Sequence, residues 1–310
     1  MKVLVVGSLN SHQGKFAPFI IEQANALCEA GCSIEYYGIR GRGVIGYLHE
    51  LPSIKRFIRE NRIDVVHAHF GLSGLLCCLQ RLVPVVVTYH GSDINLKKNI
   101  IFSKCAMLLS SWNIFVSTRT MKIAFAYLPN WIRNKSSLVP CGIYVPNAVD
   151  DCPDVSRVLY SKMSHVLFAG AFNNRIKDYS LAKESVDLLQ NVQLIELKGY
   201  SREEVYALMY ACDTLLMTSK TEGSPQVVKE AMACGLPVVS TDVGDVAERI
   251  GGLDGCYITD RNPKHIADAL KKALAFKGRT NGRHRIFELG LTNDLVANKL
   301  IKIYNKVLGC

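Results

Sequence analysis

The chain has 310 residues, of which 49% are hydrophobic and 21% charged, a balance that suits a globular protein long enough for two domains. The opening Met1-Lys2-Val3-Leu4-Val5-Val6-Gly7 reads as a strand rather than a leader, and no uncharged apolar run reaches membrane-spanning length, so the expected location is cytoplasmic. The net charge of +10 is uneven: residues 1–150 hold 16 Lys+Arg against 8 Asp+Glu, and the remainder 21 against 19. Basic motifs interleaved with aromatics are absent, which argues against nucleic acid as a partner; a phosphorylated substrate or an anionic membrane surface fits the basic half better. Plain solubility is the simpler account of the same charge. Eleven cysteines without a Cys-x-x-Cys pair suggest neither a disulfide framework nor a zinc ribbon.

From the N-terminus, the pattern predicts a strand over 2–7, a polar loop over 8–15 containing His12 and Gly14, and a helix from about Phe16 to Ala30 stopped by Gly31. The loop lacks Gly-x-Gly-x-x-Gly, so a dinucleotide-type site is disfavoured, while Gly14 could still let backbone approach a phosphate. Strand-like runs follow at 33–37, 63–67, 84–89, 113–117 and 137–139, separated by helical patterns. Such alternation implies a parallel sheet covered on both faces, whose ligands bind beyond the carboxyl ends of the strands. That rule singles out His67, His69 and Tyr89-His90-Gly91-Ser92-Asp93. The stretch 140–160, with three prolines and Asp150-Asp151, reads as a connection between domains. A second strand-helix series begins at His165, and the last helix, from Asn293 to Val307, has no strand after it and could pack back on the first domain.

Within the second series, Glu222-Gly223-Ser224-Pro225-Gln226-Val227 leads into a helix that Gly235 would end. Ser224 is placed to cap it and Pro225 to open its first turn. Glu222 precedes this helix and Glu230 lies about 7–8 Å further along its axis. Free amides and the positive end of the macrodipole favour an anion between them. A diphosphate joining two sugars has the matching chemistry, one anion flanked by diols. Glutamates beside helix starts commonly do no more than complement the dipole; Glu230 stands out because it shares the apolar side with Val227, Ala231 and Cys234, while Lys229 points the other way.

These residues resemble the retaining family-4 glycosyltransferases of GT-B fold. The resemblance rests on Glu222-Gly223-Ser224-Pro225 with Glu230-Ala231-Met232-Ala233-Cys234-Gly235-Leu236-Pro237-Val238-Val239, supported by Asp64 to Gly71, Thr88-Tyr89-His90-Gly91, Val139-Pro140-Cys141-Gly142 and His165 to Gly170. It spans nearly the whole chain. It implies an α/β chain of two Rossmann-like parallel-sheet domains facing a cleft: an acceptor-side domain over 1–155, rejoined by residues 292–310, and a donor domain over 156–291. By the same resemblance, Glu222 and the amides of Gly223 to Val227 face the donor hexose, Glu230 holds ribose hydroxyls, and Lys177 binds the diphosphate. His90 meets the donor sugar, Gly14 lies near the phosphates, and Gly199-Tyr200 pass the base. One departure is Ala171, where the family often carries arginine; Arg175 is the expected substitute.

No Asp-x-Asp occurs, so no metal or other cofactor is expected, and the nucleotide-diphosphate sugar is itself the donor substrate. No carboxylate is evident as a nucleophile, which fits the front-face attack the resemblance implies. His67 and His69 share a face of an extended segment, yet a third metal ligand at suitable spacing is missing; His69 is expected as an acceptor-side contact. The expected partners are a nucleotide sugar and a saccharide or lipid-linked saccharide in cell-surface polysaccharide synthesis, with peripheral attachment to the inner membrane face. A nucleotide-sugar epimerase, a hydrolase and a non-catalytic nucleotide-sugar binding subunit are the alternatives.

Overall fold

A computed structural model describes residues 1–10, 14–126, 128–146 and 153–310. His12, and Asp150-Asp151 of the connection, lie outside the described residues. The chain forms two compact units, 1–142 with 291–310, and 143–290. The division at Gly142 precedes the 155/156 boundary read from sequence because residues 143–146 are held by the second unit. The Tyr144 carbonyl accepts from Tyr206 Oη at 3.0 Å, and the Pro146 carbonyl accepts from Arg283 at 2.6 Å.

The first unit contains β1 (Lys2–Ser8), α1 (Pro18–Glu29), β2 (Ser33–Ile39), α2 (Gly43–His49), α3 (Leu51–Glu60), β3 (Val65–His69), α4 (Gly71–Cys78), β4 (Val85–Tyr89), α5 (Ser92–Asn95), α6 (Lys97–Leu109), β5 (Trp112–Phe115), α7 (Thr118–Phe125), a 3-10 turn (Asn130–Lys135) and β6 (Ser136–Leu138). Its sheet is parallel throughout, in the order β2-β1-β3-β4-β5-β6. Alternating residues of each strand feed opposite layers. Leu4 and Val6 pack with Ile54, Leu76 and Met107 on one side; Val3 and Val5 pack with Ile20, Leu27 and Leu300 on the other. The last of these belongs to the terminal helix, which packs against α1 on this unit.

The second unit contains β7 (Ser164–Phe168), α8 (Tyr179–Val186), β8 (Val192–Glu196), α9 (Arg202–Ala211), β9 (Thr214–Met217), α10 (Gln226–Ala233), β10 (Val238–Thr241), α11 (Val246–Ile250), β11 (Tyr257–Thr259), α12 (Pro263–Ala275) and α13 (Gly282–Glu288); α14 (Asn293–Leu308) returns to the first unit. The order β11-β10-β9-β7-β8 is again all parallel. Strand order reverses at β7, so the connections after β7 and β9 diverge at its carboxyl edge, where such sheets bind ligands. Among the described residues, no helix is long and apolar enough to cross a membrane.

Candidate active site

The connections after β7 and β9 meet through two ion pairs, Lys220 with Asp178 at 3.4 Å and Lys177 with Glu222. Lys177 Nζ donates to Glu222 Oε1 at 2.7 Å, and Ser219 Oγ donates to the same oxygen at 2.8 Å. Both charged side chains are mostly buried, each with 18% of its surface exposed. Lys177 is aimed by its own turn: Thr218 Oγ1 donates to the carbonyls of Lys177 and Asp178, and Arg261 bonds Asp178 and the carbonyls of Thr218 and Ser219. The Lys177 stem lies over Gly170, where an added Cβ would stand 3.0 Å from Lys177 Cγ. Arg175 is exposed on the same turn. Lys177 bonds Glu222 and Arg202 bonds Glu230, while Arg175, expected to supply charge to the diphosphate, points outward on the turn that holds Lys177 inward.

Glu230 sits in the second half of α10 with only 4% of its surface exposed. Its Oε1 accepts from Arg202 Nη2 at 2.8 Å, and the guanidinium lies over the Tyr206 ring. Arg202 opens α9, whose capping box is Ser201 with Glu204. Gly199, with a φ of +81° suited to glycine, and half-buried Tyr200 form the turn leading into that cap. Twenty-eight residues separate Arg202 from Glu230, so no local spacing announced the pair.

The start of α10 differs from the sequence expectation. Pro225 is the N-cap, in extended geometry at ψ 119°, and the helix begins at Gln226. Ser224 does not cap it: Ser224 Oγ donates to Asp245 Oδ2 at 2.8 Å, and Arg249 Nε donates to the same oxygen at 2.8 Å. Gly223 and Gly244 backbones touch, since a Cβ on Gly244 would lie 2.6 Å from the Gly223 carbonyl oxygen. Lys229 is also buried, at 1% exposure, rather than turned to solvent. Helix α10 packs on α11, α13 and β10, so more than one of its faces is covered.

In the first unit three histidines stack at the carboxyl ends of β3 and β4. His67 and His69 have ring centroids 4.6 Å apart, and His69 and His90 5.2 Å apart. His67 Nε2 bonds Thr88 Oγ1 at 2.7 Å, and its Nδ1 bonds Tyr304 Oη of α14 at 2.6 Å. His69 Nδ1 and His90 Nε2 share a bond at 3.0 Å, and His90 Nδ1 faces Cys141 Sγ at 3.7 Å. Burial pushes the His67 pKa down to about 3 and holds His69 well below its usual value, so both rings are neutral. His69 is 1% exposed. Its ring is closed in by its neighbours, with Nδ1 bonded to His90.

Asp93 fixes the turn after β4 by accepting from the amides of His90, Gly91 and Gly71 at 3.0, 2.9 and 3.1 Å. Gly14, at φ +80°, donates its own amide to the Leu9 carbonyl at 3.2 Å, so that amide already serves the loop. No group of three or more His, Cys, Asp or Glu among the described residues is arranged to hold a metal ion. Thr88, Cys141, Arg202, Ser219, Asp245, Arg249 and Tyr304 were missed in the sequence. Thr88, Cys141 and Tyr304 join the histidine stack of the first unit, and Arg202, Ser219, Asp245 and Arg249 the glutamate loops of the second, through contacts distant in the chain or through an ordinary residue type.

Two Rossmann-like parallel-sheet units, the second with one glutamate before α10 and another within it, have the architecture of a GT-B glycosyltransferase. Family models agree: Glycosyltransferase Family 4 matches residues 23–145, and Glycosyl transferases group 1 matches 149–275. The chain is 29% identical to an uncharacterized glycosyltransferase of Methanocaldococcus jannaschii over 75% of this chain and 72% of that one. It is 23% identical to the Bacillus subtilis protein named "Putative teichuronic acid biosynthesis glycosyltransferase TuaC", over 67% of this chain and 61% of that one. Anabaena HepE, solved in complex with UDP, superposes with a TM-score of 0.75 over 99% of this chain and 100% of that chain at 13% identity. The protein belongs to the family-4 glycosyltransferases, and it is a glycosyltransferase enzyme.

Proposed function

We propose that this glycosyltransferase moves a hexose-type sugar from a nucleoside-diphosphate donor, with retention at the anomeric carbon, onto a saccharide or lipid-linked saccharide in cell-surface polysaccharide synthesis. The observation that carries the reading is the pair of cation-held glutamates, Glu222 with Lys177 and Glu230 with Arg202. Carboxylates fixed in this way are ready acceptors for sugar hydroxyls, while Lys177 and the amides after Glu222 suit the diphosphate. Glu222 would take the hexose hydroxyls, Glu230 the ribose, and Gly199-Tyr200 the base. The teichuronic acid assignment of the Bacillus relative and the UDP in the Anabaena structure support acceptor class and donor class respectively.

In the proposed step the acceptor hydroxyl attacks the anomeric carbon on the face the phosphate leaves. The carbon–phosphate oxygen bond breaks, the new glycosidic bond forms, and the departing phosphate takes the hydroxyl proton. Lys177 and the loop amides stabilise the charge that develops on the leaving group, and no cofactor is invoked. Both ring nitrogens of His90 face protein groups, so its part is assigned to its backbone carbonyl, which can stabilise positive charge on the sugar ring. Attachment to an anionic inner membrane face would bring a lipid-linked acceptor to the enzyme.

The test is a panel of nucleotide sugars with saccharide and polyprenyl-linked acceptors, with and without EDTA, the product anomer being read by NMR. Retention and EDTA-insensitive turnover are expected; inversion, or loss of turnover with EDTA, overturns the corresponding part. Conversion of a donor without acceptor would identify an epimerase if another sugar nucleotide forms and a hydrolase if free sugar appears. Ala171, where family members often carry arginine, favours a second reading, a binding subunit without turnover. Donor binding with no transfer across the panel would establish it.

A further inference from the structure

Helix α6 is apolar on both of its faces. Its inner side buries Ala106 and Met107, while Ile101, Cys105 and Leu108, spaced four and three apart, form an exposed stripe with Ile101 60% and Leu108 42% accessible. Lys98 and Lys104 stand three residues before and after Ile101, so the outer side of the helix sets an apolar stripe among cations. The stripe continues at its C-terminal end. Exposed Leu109 and Leu82 line one shallow groove, and Lys135 reaches the Leu108 carbonyl while lying over the ring of half-exposed Trp131. Across the same layer, α2 adds exposed Val44, Ile45 and Leu48 beside Arg40 and Arg42.

The charge on this layer is mainly basic: α3, which packs into the same core, carries Lys55, Arg56 and Arg59 against Glu60, and Glu50 precedes it. Residues 65–149 hold eight Lys or Arg and a single acid, Asp93, which is buried and bonded to backbone amides. The opposite layer of the same unit, α1 and α14, balances Glu22, Glu29 and Asp294 against Lys299, Lys302 and Lys306, and Leu295 is its one large exposed apolar side chain among the described residues. Apolar side chains and a tryptophan set among lysines and arginines match the interface of an anionic bilayer, where apolar chains enter the acyl boundary and cations meet headgroups. We propose that the outer face of α6, with Leu82 and Trp131, is the surface by which the first unit lies on an anionic membrane. It deepens the membrane part of the function proposed above. Lys97-Lys98 begin α6 two residues after α5, next to the carboxyl edge of β4, and Leu109 ends it beside the start of β4, where the Val85 amide bonds Ser111 Oγ. A bilayer along α6 therefore reaches the edge that carries His90.

The experiment is flotation of the full chain with phosphatidylglycerol vesicles and with phosphatidylcholine vesicles, at low and high salt, without substrates. The wild type should float with the anionic vesicles and release as salt rises. Ile101→Ser with Leu108→Ser should lose binding at both salt concentrations. Lys98→Gln with Arg81→Gln should weaken it on the order of twentyfold at low salt, since each surface cation contributes a factor of about five. All four positions are exposed, so unchanged melting temperatures are expected and serve as the folding control. Equal flotation of the Ile101/Leu108 variant and the wild type, failure of the wild type to float, or a dimer through this face with no vesicle binding would each overturn the proposal. Nucleotide binding measured on the same samples keeps the outcome separate from the sugar-transfer reading: vesicle failure with intact nucleotide binding removes only the membrane surface.

Discussion

Arg202 holds Glu230 at 2.8 Å across a 28-residue separation, and the two ends of this ion pair differ in exposure, 35% for the arginine side chain and 6% for the glutamate. The capped start of α9 supplies the cation, and the buried side of α10 supplies the carboxylate. The pairing fixes an ionised acceptor in a place where an unpartnered charge would be costly.

The asymmetry gives unequal variants. Glu230→Ala leaves an arginine that solvent can hydrate, so its melting temperature should stay close to wild type while nucleotide-diphosphate affinity falls about 10- to 100-fold. Arg202→Ala leaves the buried carboxylate alone and should cost about 1–3 kcal/mol of stability. Calorimetric melting and titration of both variants separate the two effects; equal stability losses would contradict the asymmetry, and unchanged nucleotide binding in Glu230→Ala would count heavily against the donor site.

Gly244 sets the position of the loop before α10. With φ at +59° and the Gly223 carbonyl 2.6 Å from where a Cβ would stand, Gly244→Ala must strain its own backbone and push the loop away. A stability loss of about 1–3 kcal/mol is expected. Nucleotide affinity should drop with it, and a variant that binds donor normally would show that this loop does not contact donor.

Asp245 and Arg249 are nearly sealed, with side-chain exposures of 1% and 9%, and their shared carboxylate also anchors Ser224. Asp245→Ala strands a buried guanidinium and should cost about 3–5 kcal/mol. Ser224→Ala removes only the outer bond, for about 1 kcal/mol. Denaturant melts of the two variants check the order, and a larger loss for Ser224→Ala would refute it.

The buried histidines couple stability of the first unit to pH. His67 titrates near 3 in the fold against an ordinary 6.5, and His69 is shifted the same way, so the unfolded chain binds more protons than the native one below 6.5. Their contribution is complete above 6.5 and is lost as pH falls towards 3. Asp93 acts in the opposite sense: burial raises it from 3.8 to about 6, which favours the native state at low pH and fades as pH rises through 6. Two groups against one leave a net fall in melting temperature from pH 7 to pH 4.5. His67→Gln should flatten part of that fall while lowering the plateau, and a pH-independent wild-type melt would refute the assignment.

Glu222 and Glu230 stood out in the sequence because a helix start leaves a short, specific trace in the chain, while Lys177 was named only through the resemblance; the structure pairs Lys177 with Glu222 and gives Glu230 a different cation, Arg202. Ser224 was misread because proline followed it: the residue type suited a cap, but the hydroxyl found Asp245, which lies 21 positions away. The burial of His69 was not legible, because position at a strand end does not reveal which neighbour closes over it, here His90 after the adjacent strand.

The sequence by itself determined the alternating elements and the two parallel sheets, since hydrophobic period and glycine or proline punctuation act over a few residues, and the motif from Glu222 to Val239 carried the resemblance to the family. Only the tertiary structure decided which cation meets which carboxylate, which histidines are neutral, and which helix keeps an apolar face turned outward. Those outcomes depend on side chains that distant segments bring within a few ångströms, and on the burial that follows, neither of which spacing along a chain encodes.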